Sequence, residues 1–346
     1  MINRYPWWLA LVLTLVLPTL GCPGDDDDSA ADDDAADDDD TDGGPEIICN
    51  EPPPLGDGPW FTDVTSELGL GVDGMDMQGS LVSSADINDD RWPDLYLSKA
   101  SAVRDDPAEP AHNVRILINQ GGTAFEDVTF DSGFTDARDG SQGRASQFAI
   151  FGDLDNDGDT DAYAATFFGV DTEDTTDRSE ILLNDGDGTF TLGPVNVFTD
   201  DPDYDAVVAA AMLDHDHDGA LDIYVGHHYA QYGYVNTSGQ DSLFVGDGAG
   251  SFTDVTIDAG METVASSYLT HFSAGTNHRP TWGVTACDID GDGFTDLMST
   301  AYGRQFNMLW HANGDGTYED IGRDVGYASD DNEDYSDNYM YETGQW

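Results

Sequence analysis

Short apolar runs alternate with polar punctuation through most of the chain, and no long segment keeps a helical period. Four of these runs read LYLS, AYAA, IYVG and LMST, and each directly follows an acidic stretch. Ahead of the acid lies another apolar run, such as ASQFAIFG or YDAVVAAAML. A second punctuation comes later in each unit, in ILINQGGTAFEDVT, ILLNDGDGTFTLG, SLFVGDGAGSFTDVT and MLWHANGDGTYEDIG. Asn, Asp and Gly between β-branched and aromatic runs are hairpin signals. A unit therefore offers four strands: one before the acidic stretch, one after it, and one on each side of the Gly-rich turn. Units of this kind in tandem predict an all-β chain, a β-propeller of four-stranded blades with four complete blades.

The acidic stretches are themselves a repeat. They read DINDDRWPD from Asp86, DLDNDGDTD from Asp153, DHDHDGALD from Asp214 and DIDGDGFTD from Asp288, with starts 67, 61 and 74 residues apart (153−86, 214−153, 288−214). Acidic residues or Asn occupy positions 1, 3, 5 and 9, and Gly usually occupies position 6. Carboxylates this close repel one another unless a cation sits among them. Oxygens on alternate residues of a sharply turning loop suit Ca²⁺, which takes six to eight of them in flexible geometry. The expected side-chain ligands are Asp86, Asn88, Asp90 and Asp94 in the first loop, and Asp153, Asp155, Asp157 and Asp161 in the second. The third loop supplies Asp214, Asp216, Asp218 and Asp222, and the fourth Asp288, Asp290, Asp292 and Asp296. About four calcium sites follow, the first weaker because Asn88 and Arg91 stand where Asp and Gly stand elsewhere. An EF-hand starts the same way but needs a bidentate acid at position 12 and flanking helices. Position 12 here is Leu97, Ala164, Val225 and Ser299, and the flanks are strand-like.

The acidic loop combined with the NDGDGTF-type turn resembles the FG-GAP and VCBS repeats from about Pro59 onward. That resemblance implies an integrin-α-type propeller with a Ca²⁺ loop between the first two strands of each blade. The Gly-Ala-Pro part of the FG-GAP signature is absent, so the VCBS-like branch fits better. An isolated PWFTDVTSELGLG at Pro59 and the terminal YSDNYMYETGQW would supply outer and inner strands of a further blade. The chain then reads as an irregularly closed propeller or as a piece of a longer one.

The N-terminal side differs. Arg4 and the apolar WWLALVLTLVLPTL make residues 1–21 a secretory signal, too short and too interrupted by Pro18 for a spanning helix. TLGC resembles a bacterial lipobox, which implies lipidation of Cys22, and Pro23 gives no inner-membrane retention signal. Residues 22–58 include DDDDSAADDDAADDDDTD and form an Asp-rich, solvated tether, and residues 59–346 the propeller. The expected location is an outer-membrane lipoprotein exposed at the cell surface, with plain secretion as the alternative. Export leaves Cys49 and Cys287 either paired or with Cys287 buried at a strand end and Cys49 free.

Seventy acidic against eleven basic residues give a net charge of −59. Nucleic acid and anionic lipid surfaces are excluded as partners, since both need clustered Lys and Arg, and a lipid anchor is the membrane contact that remains. No HExxH, GxSxG or Cys-x-x-Cys occurs. His215 and His217 sit at variable loop positions and are expected to point outward, while His227, His228, His271 and His278 could line a blade face. Two function classes stay open. One is a calcium-dependent binding or adhesion module for an extracellular protein or glycan, with Tyr163–Thr176, His227–Gly239 and Ser266–Trp282 as contact loops. The other is an extracellular calcium-dependent enzyme acting on polysaccharide or lipid.

Overall fold

The computed structural model describes residues 61–70, 81–99, 103–109, 112–167, 177–200, 206–229, 238–265, 276–302 and 305–328. The signal segment, Cys22, the tether, Cys49, His271 and the terminal YSDNYMYETGQW lie outside the described residues. No helix among the described residues is long and apolar enough to cross a membrane.

Each unit forms the four strands its pattern calls for, in sequence order and antiparallel throughout. The first sheet is β1 (Leu81–Ala85), β2 (Asp94–Ser98), β3 (Val114–Asn119) and β4 (Phe125–Asp127). The second is β5 (Phe148–Gly152), β6 (Asp161–Ala165), β7 (Glu180–Asn184) and β8 (Phe190–Leu192). After a four-residue helix α1 (Val197–Asp200) come β9 (Val207–Leu213), β10 (Asp222–His227), β11 (Ser242–Gly246) and β12 (Phe252–Asp254). The fourth comprises β13 (Thr281–Cys287), β14 (Asp296–Ala301), β15 (Met308–Ala312) and β16 (Tyr318–Asp320). In every sheet the acidic stretch joins the first two strands and the Gly-rich turn the last two. The fold is a set of propeller blades.

A lone four-stranded sheet has two faces to cover, and neighbouring blades cover them. Three apolar clusters fill the three gaps between four blades. Tyr96, Tyr163 and Tyr224 hold the same place, ten residues after the first loop aspartate (96−86, 163−153, 224−214), and each enters a different cluster. All three are at most 1% exposed. Fully burying one aromatic side chain is worth roughly 1.5–3 kcal/mol, so these tyrosines are principal fasteners between blades. Met298 stands at the fourth equivalent position and is half-buried. The first strands β1, β5, β9 and β13 pack in succession. Glycine allows the approach: a Cβ on Gly152 would lie 2.6 Å from Met212 Sδ, and one on Gly226 2.5 Å from Thr281 Cγ2.

One expected strand does not form. Residues 61–65 of FTDVT form no strand, and Phe61 is 82% exposed. The turn that follows FTDVT elsewhere is nevertheless kept. The Leu68 and Leu70 amides donate to the Val64 and Thr65 carbonyls at 2.9 Å, as Ala259 and Met261 do to Val255 and Thr256 at 2.7 and 3.0 Å. A three-residue outer strand exists only when a third strand lies beside it, and among the described residues FTDVT has no such neighbour. The turn needs no partner and so survives alone.

The acidic loops are fastened to their sheets by the last aspartate of each. Asp94, Asp161, Asp222 and Asp296 are at most 1% exposed. One oxygen of each accepts the amide at loop position 2: Ile87 at 2.8 Å, Leu154 at 2.8 Å, His215 at 2.6 Å and Ile289 at 3.0 Å. The other accepts an amide of the third strand: Asn119 at 2.7 Å, Asn184 at 2.8 Å, Gly246 at 2.8 Å and Ala312 at 2.9 Å. Position 9 thus ties the loop to the strand two places away. Asp161→Ala leaves two buried amides without an acceptor, at about 1–3 kcal/mol each. Denaturant unfolding in EDTA should show a loss of a few kcal/mol for Asp161→Ala and a smaller one for Asp161→Asn, which keeps one oxygen. Equal losses would mean that the carboxylate does not hold both amides.

Candidate metal centres

The four loops share one internal wiring. The position 1 carboxylate accepts the amides of positions 5 and 6: Asp86 from Asp90 and Arg91 at 3.1 and 2.8 Å, and Asp153 from Asp157 and Gly158, both at 3.1 Å. Asp214 accepts from Asp218 and Gly219, both at 3.1 Å, and Asp288 from Asp292 and Gly293 at 3.2 and 2.9 Å. One oxygen of position 5 turns to the amide of position 7, at 2.8 Å in Asp90, 3.0 Å in Asp157, 2.8 Å in Asp218 and 2.9 Å in Asp292.

Closing this ring twists the backbone into the left-handed region twice per loop. Position 4 has φ of 54° at Asp89, 59° at Asn156, 60° at His217 and 77° at Gly291. Position 6 has φ of 70° at Arg91 and 87–98° at Gly219, Gly293 and Gly158. Asp, Asn, His and Gly tolerate this conformation better than other residues, so the variability at position 4 was a legible constraint. Arg91 is the strained exception.

Three loops bring carboxylates together. Ligand oxygens of Asp153, Asp155 and Asp161 lie within 4.8 Å of one another, as do those of Asp214, Asp216 and Asp218, and those of Asp288, Asp290 and Asp292. A further group joins Asp290 and Asp296 to His311, whose Nδ1 is 3.0 Å from Asp296 Oδ1 and 3.8 Å from Asp290 Oδ2. His311 is a feature that sequence spacing missed, because it comes from the third strand. The first loop gathers no such trio among the described residues. Its Asn88 donates Nδ2 to Asp90 Oδ2 at 3.2 Å instead.

Position 3 carries the strongest sign of a missing partner. Asn88 Oδ1 and Asp155 Oδ1 are buried and accept no hydrogen bond among the described residues. An oxygen removed from water without a partner is costly, and here it recurs at the same loop position in two blades. Burial pushes the Asp161 and Asp222 carboxyls up to about 6 despite their amide partners, with loop neighbours adding repulsion. Burial is also the main cause that raises Asp94 and Asp155. Oxygens in this number, without sulfur and with one imidazole, His311, in a ligand group among the described residues, are a donor set for a hard divalent cation.

One of the two loop histidines departs from expectation. His215 does not point outward: its ring stacks on Tyr318 at 5.3 Å, and Nδ1 is 3.0 Å from the Tyr318 hydroxyl. His217 is exposed, with its ring 5.1 Å from Phe294. Ile87 and Leu154 fill position 2 in the first two loops and are 1% exposed. With His at that position, a cavity of about 350 Å³ opens beside the third loop, lined by His215, Asp216, His217, Phe294, Thr317 and Tyr318. His227 and His228 are buried at the end of β10, and His278 Nδ1 meets the Ser238 carbonyl at 3.0 Å. Cys287 closes β13 as an exposed free thiol, so it is not the buried residue considered above. Parts of the three expected contact loops, 168–176, 230–237 and 266–275, lie outside the described residues.

No curated protein matches the chain. A solved structure of an Agrocybe aegerita lectin, described as recognising non-reducing terminal N-acetylglucosamine, is similar at 16% identity and a TM-score of 0.38. The similarity covers 70% of this chain and 65% of the lectin, so the chain spans less than two thirds of that protein. Residues 153–225, which hold the second acidic loop, β6 to β8 of the second blade, β9, the third loop and the start of β10, match the family described as FG-GAP-like repeat; this central segment is similar to FG-GAP-like repeats.

Proposed function

We propose that this chain is an exported, surface-tethered β-propeller whose acidic loops bind Ca²⁺ and whose blades form a binding module for an extracellular protein or glycan. The buried, unpartnered oxygens at position 3 of two loops carry the metal half of this reading. The recurrence of one loop wiring in four blades supports it. The N-terminal signal, the lipobox-like TLGC and the Asp-rich tether support export and attachment through Cys22.

The chemistry assigns roles within each loop. Position 9 is committed to holding the loop on its sheet and offers its remaining lone pairs. Positions 1, 3 and 5 face one another in the third and fourth loops, and positions 1, 3 and 9 in the second, and supply the negative charge. A cation placed among them would relieve their repulsion and give position 3 its partner. Ca²⁺ is the expected ion because it accepts irregular oxygen shells, whereas Mg²⁺ needs a tight octahedron. Millimolar calcium outside the cell would keep such sites filled even at modest affinity.

Calorimetric titration of the metal-stripped full chain should count three to four Ca²⁺ ions, the first loop the weakest. Asp153→Asn combined with Asp155→Asn should remove one ion and leave the others. An unchanged count in the double variant, or no heat of binding at all, would overturn the metal assignment.

A further inference from the structure

The fourth acidic loop has a neighbour of a kind that the other three lack. In each blade the third strand places one side chain directly before the residue whose amide meets the last loop aspartate. That side chain is Ile118, Leu183 and Val245 in the first three blades and His311 in the fourth. The four are equivalent in the ladders too, each pairing with the middle residue of its outer strand: Glu126, Thr191, Thr253 and Glu319. Ile118 and Leu183 pack into the apolar gap towards the next blade. His311 instead turns to the carboxylates of its own loop, with Nδ1 3.0 Å from Asp296 Oδ1 and 3.8 Å from Asp290 Oδ2.

The wiring of the loop does not need this imidazole. Asp296 already accepts the Ile289 amide at 3.0 Å and the Ala312 amide at 2.9 Å. The same two bonds fasten the other three loops without a histidine. His311 therefore adds a donor and leaves the fastening unchanged. A nitrogen donor alters which ion fits best. Ca²⁺ takes oxygen ligands, whereas imidazole suits Zn²⁺, Ni²⁺ and Cu²⁺. Donors that share one Zn²⁺ at about 2.0–2.2 Å stand roughly 3.3 Å apart, and the two distances from His311 bracket that spacing.

From this juxtaposition we infer that the fourth loop is a transition-metal site, held by Asp290, Asp296 and His311, that takes Zn²⁺ in preference to Ca²⁺. The three ligand atoms lie within 4.8 Å of one another. The side chains of Asp290 and His311 are 51% and 27% exposed, so an ion reaches them from solvent. Asp290 also belongs to the oxygen group of Asp288, Asp290 and Asp292. One carboxylate serving both groups makes the two ions exclusive: the loop holds Ca²⁺ when it is offered alone and yields it to Zn²⁺. The first three loops have aliphatic side chains where His311 stands, and they keep Ca²⁺. Cys287, His215 and His217 stand beside acidic loops but join no ligand group among the described residues. A plain hydrogen bond from His311 to Asp296 is the competing role, and it predicts no change in ion preference.

This assignment rests on reading the acidic loops as cation sites, and the test separates the two. The metal-stripped full chain is titrated calorimetrically with Ca²⁺, with Zn²⁺, and with Ca²⁺ after one equivalent of Zn²⁺. Zn²⁺ should bind one site at least tenfold more tightly than Ca²⁺ binds there and should lower the calcium count by one. His311→Leu should weaken Zn²⁺ at that site at least tenfold and restore the calcium count in the presence of zinc. His311→Asn, which keeps an N–H for Asp296 without an imidazole, should do the same. Both variants should match the unaltered chain in calcium count without zinc and in melting midpoint in calcium, and Cys287→Ser should leave Zn²⁺ binding unchanged. Undiminished Zn²⁺ binding in His311→Leu or His311→Asn, Zn²⁺ that displaces no calcium, or lost Zn²⁺ binding in Cys287→Ser would overturn the site. Calcium uptake indifferent to zinc leaves the calcium loops standing without it, whereas no calcium uptake by the unaltered chain defeats the calcium reading whatever zinc does.

Discussion

Mutual repulsion among carboxylates at the mouth of each blade is the constraint around which the rest is arranged. Two carboxylate charges 4.8 Å apart repel by about 3 kcal/mol at an effective dielectric of about 20. The backbone answers part of this repulsion. Position 1 collects two amides, position 5 one and position 9 two, and two left-handed residues per loop turn those amides inward. Amides are partial charges and leave the loop strongly negative, which is the ground for proposing a cation there. The first two strands of a blade meet through the loop, and the third is tied to it by position 9. The loop's charge balance therefore bears directly on whether a blade holds together.

Between blades the logic is apolar. Each gap is filled by side chains of two sheets, with a tyrosine at a fixed repeat position entering from one side. The four units are alike in wiring and unlike in what surrounds it. Position 2 is an apolar plug in the first two loops and a histidine in the third, where a cavity results. The place filled by Ile118, Leu183 and Val245 in the first three blades is His311 in the fourth. Repeated scaffold positions carry stability, and the departures from the repeat distinguish one blade's surface from the next.

Much of this was legible in the sequence because two periodicities coincide there. The acidic loop and the Asn/Asp-Gly turn each fix a strand on either side, and sixteen strands appear where they place them among the described residues. FTDVT at Phe61 misled because the motif encodes a strand and a turn together, and only the turn is local. The role of position 9 was hidden for a different reason. Spacing identifies a carboxylate but not whether amides or a cation will take its oxygens. His311 and the cavity beside His215 depend on contacts between segments far apart in sequence.

The central claim is that a cation, more than the protein's own amides, balances these loops. A thermal melt of the metal-stripped full chain in EDTA, in Mg²⁺ and in Ca²⁺ tests it most directly. A ligand bound only to the folded state contributes about 2.7 kcal/mol per site at one hundred times its dissociation constant, so calcium alone should raise the midpoint by many degrees. Identical midpoints in the three buffers would mean that solvent and backbone balance the loops unaided.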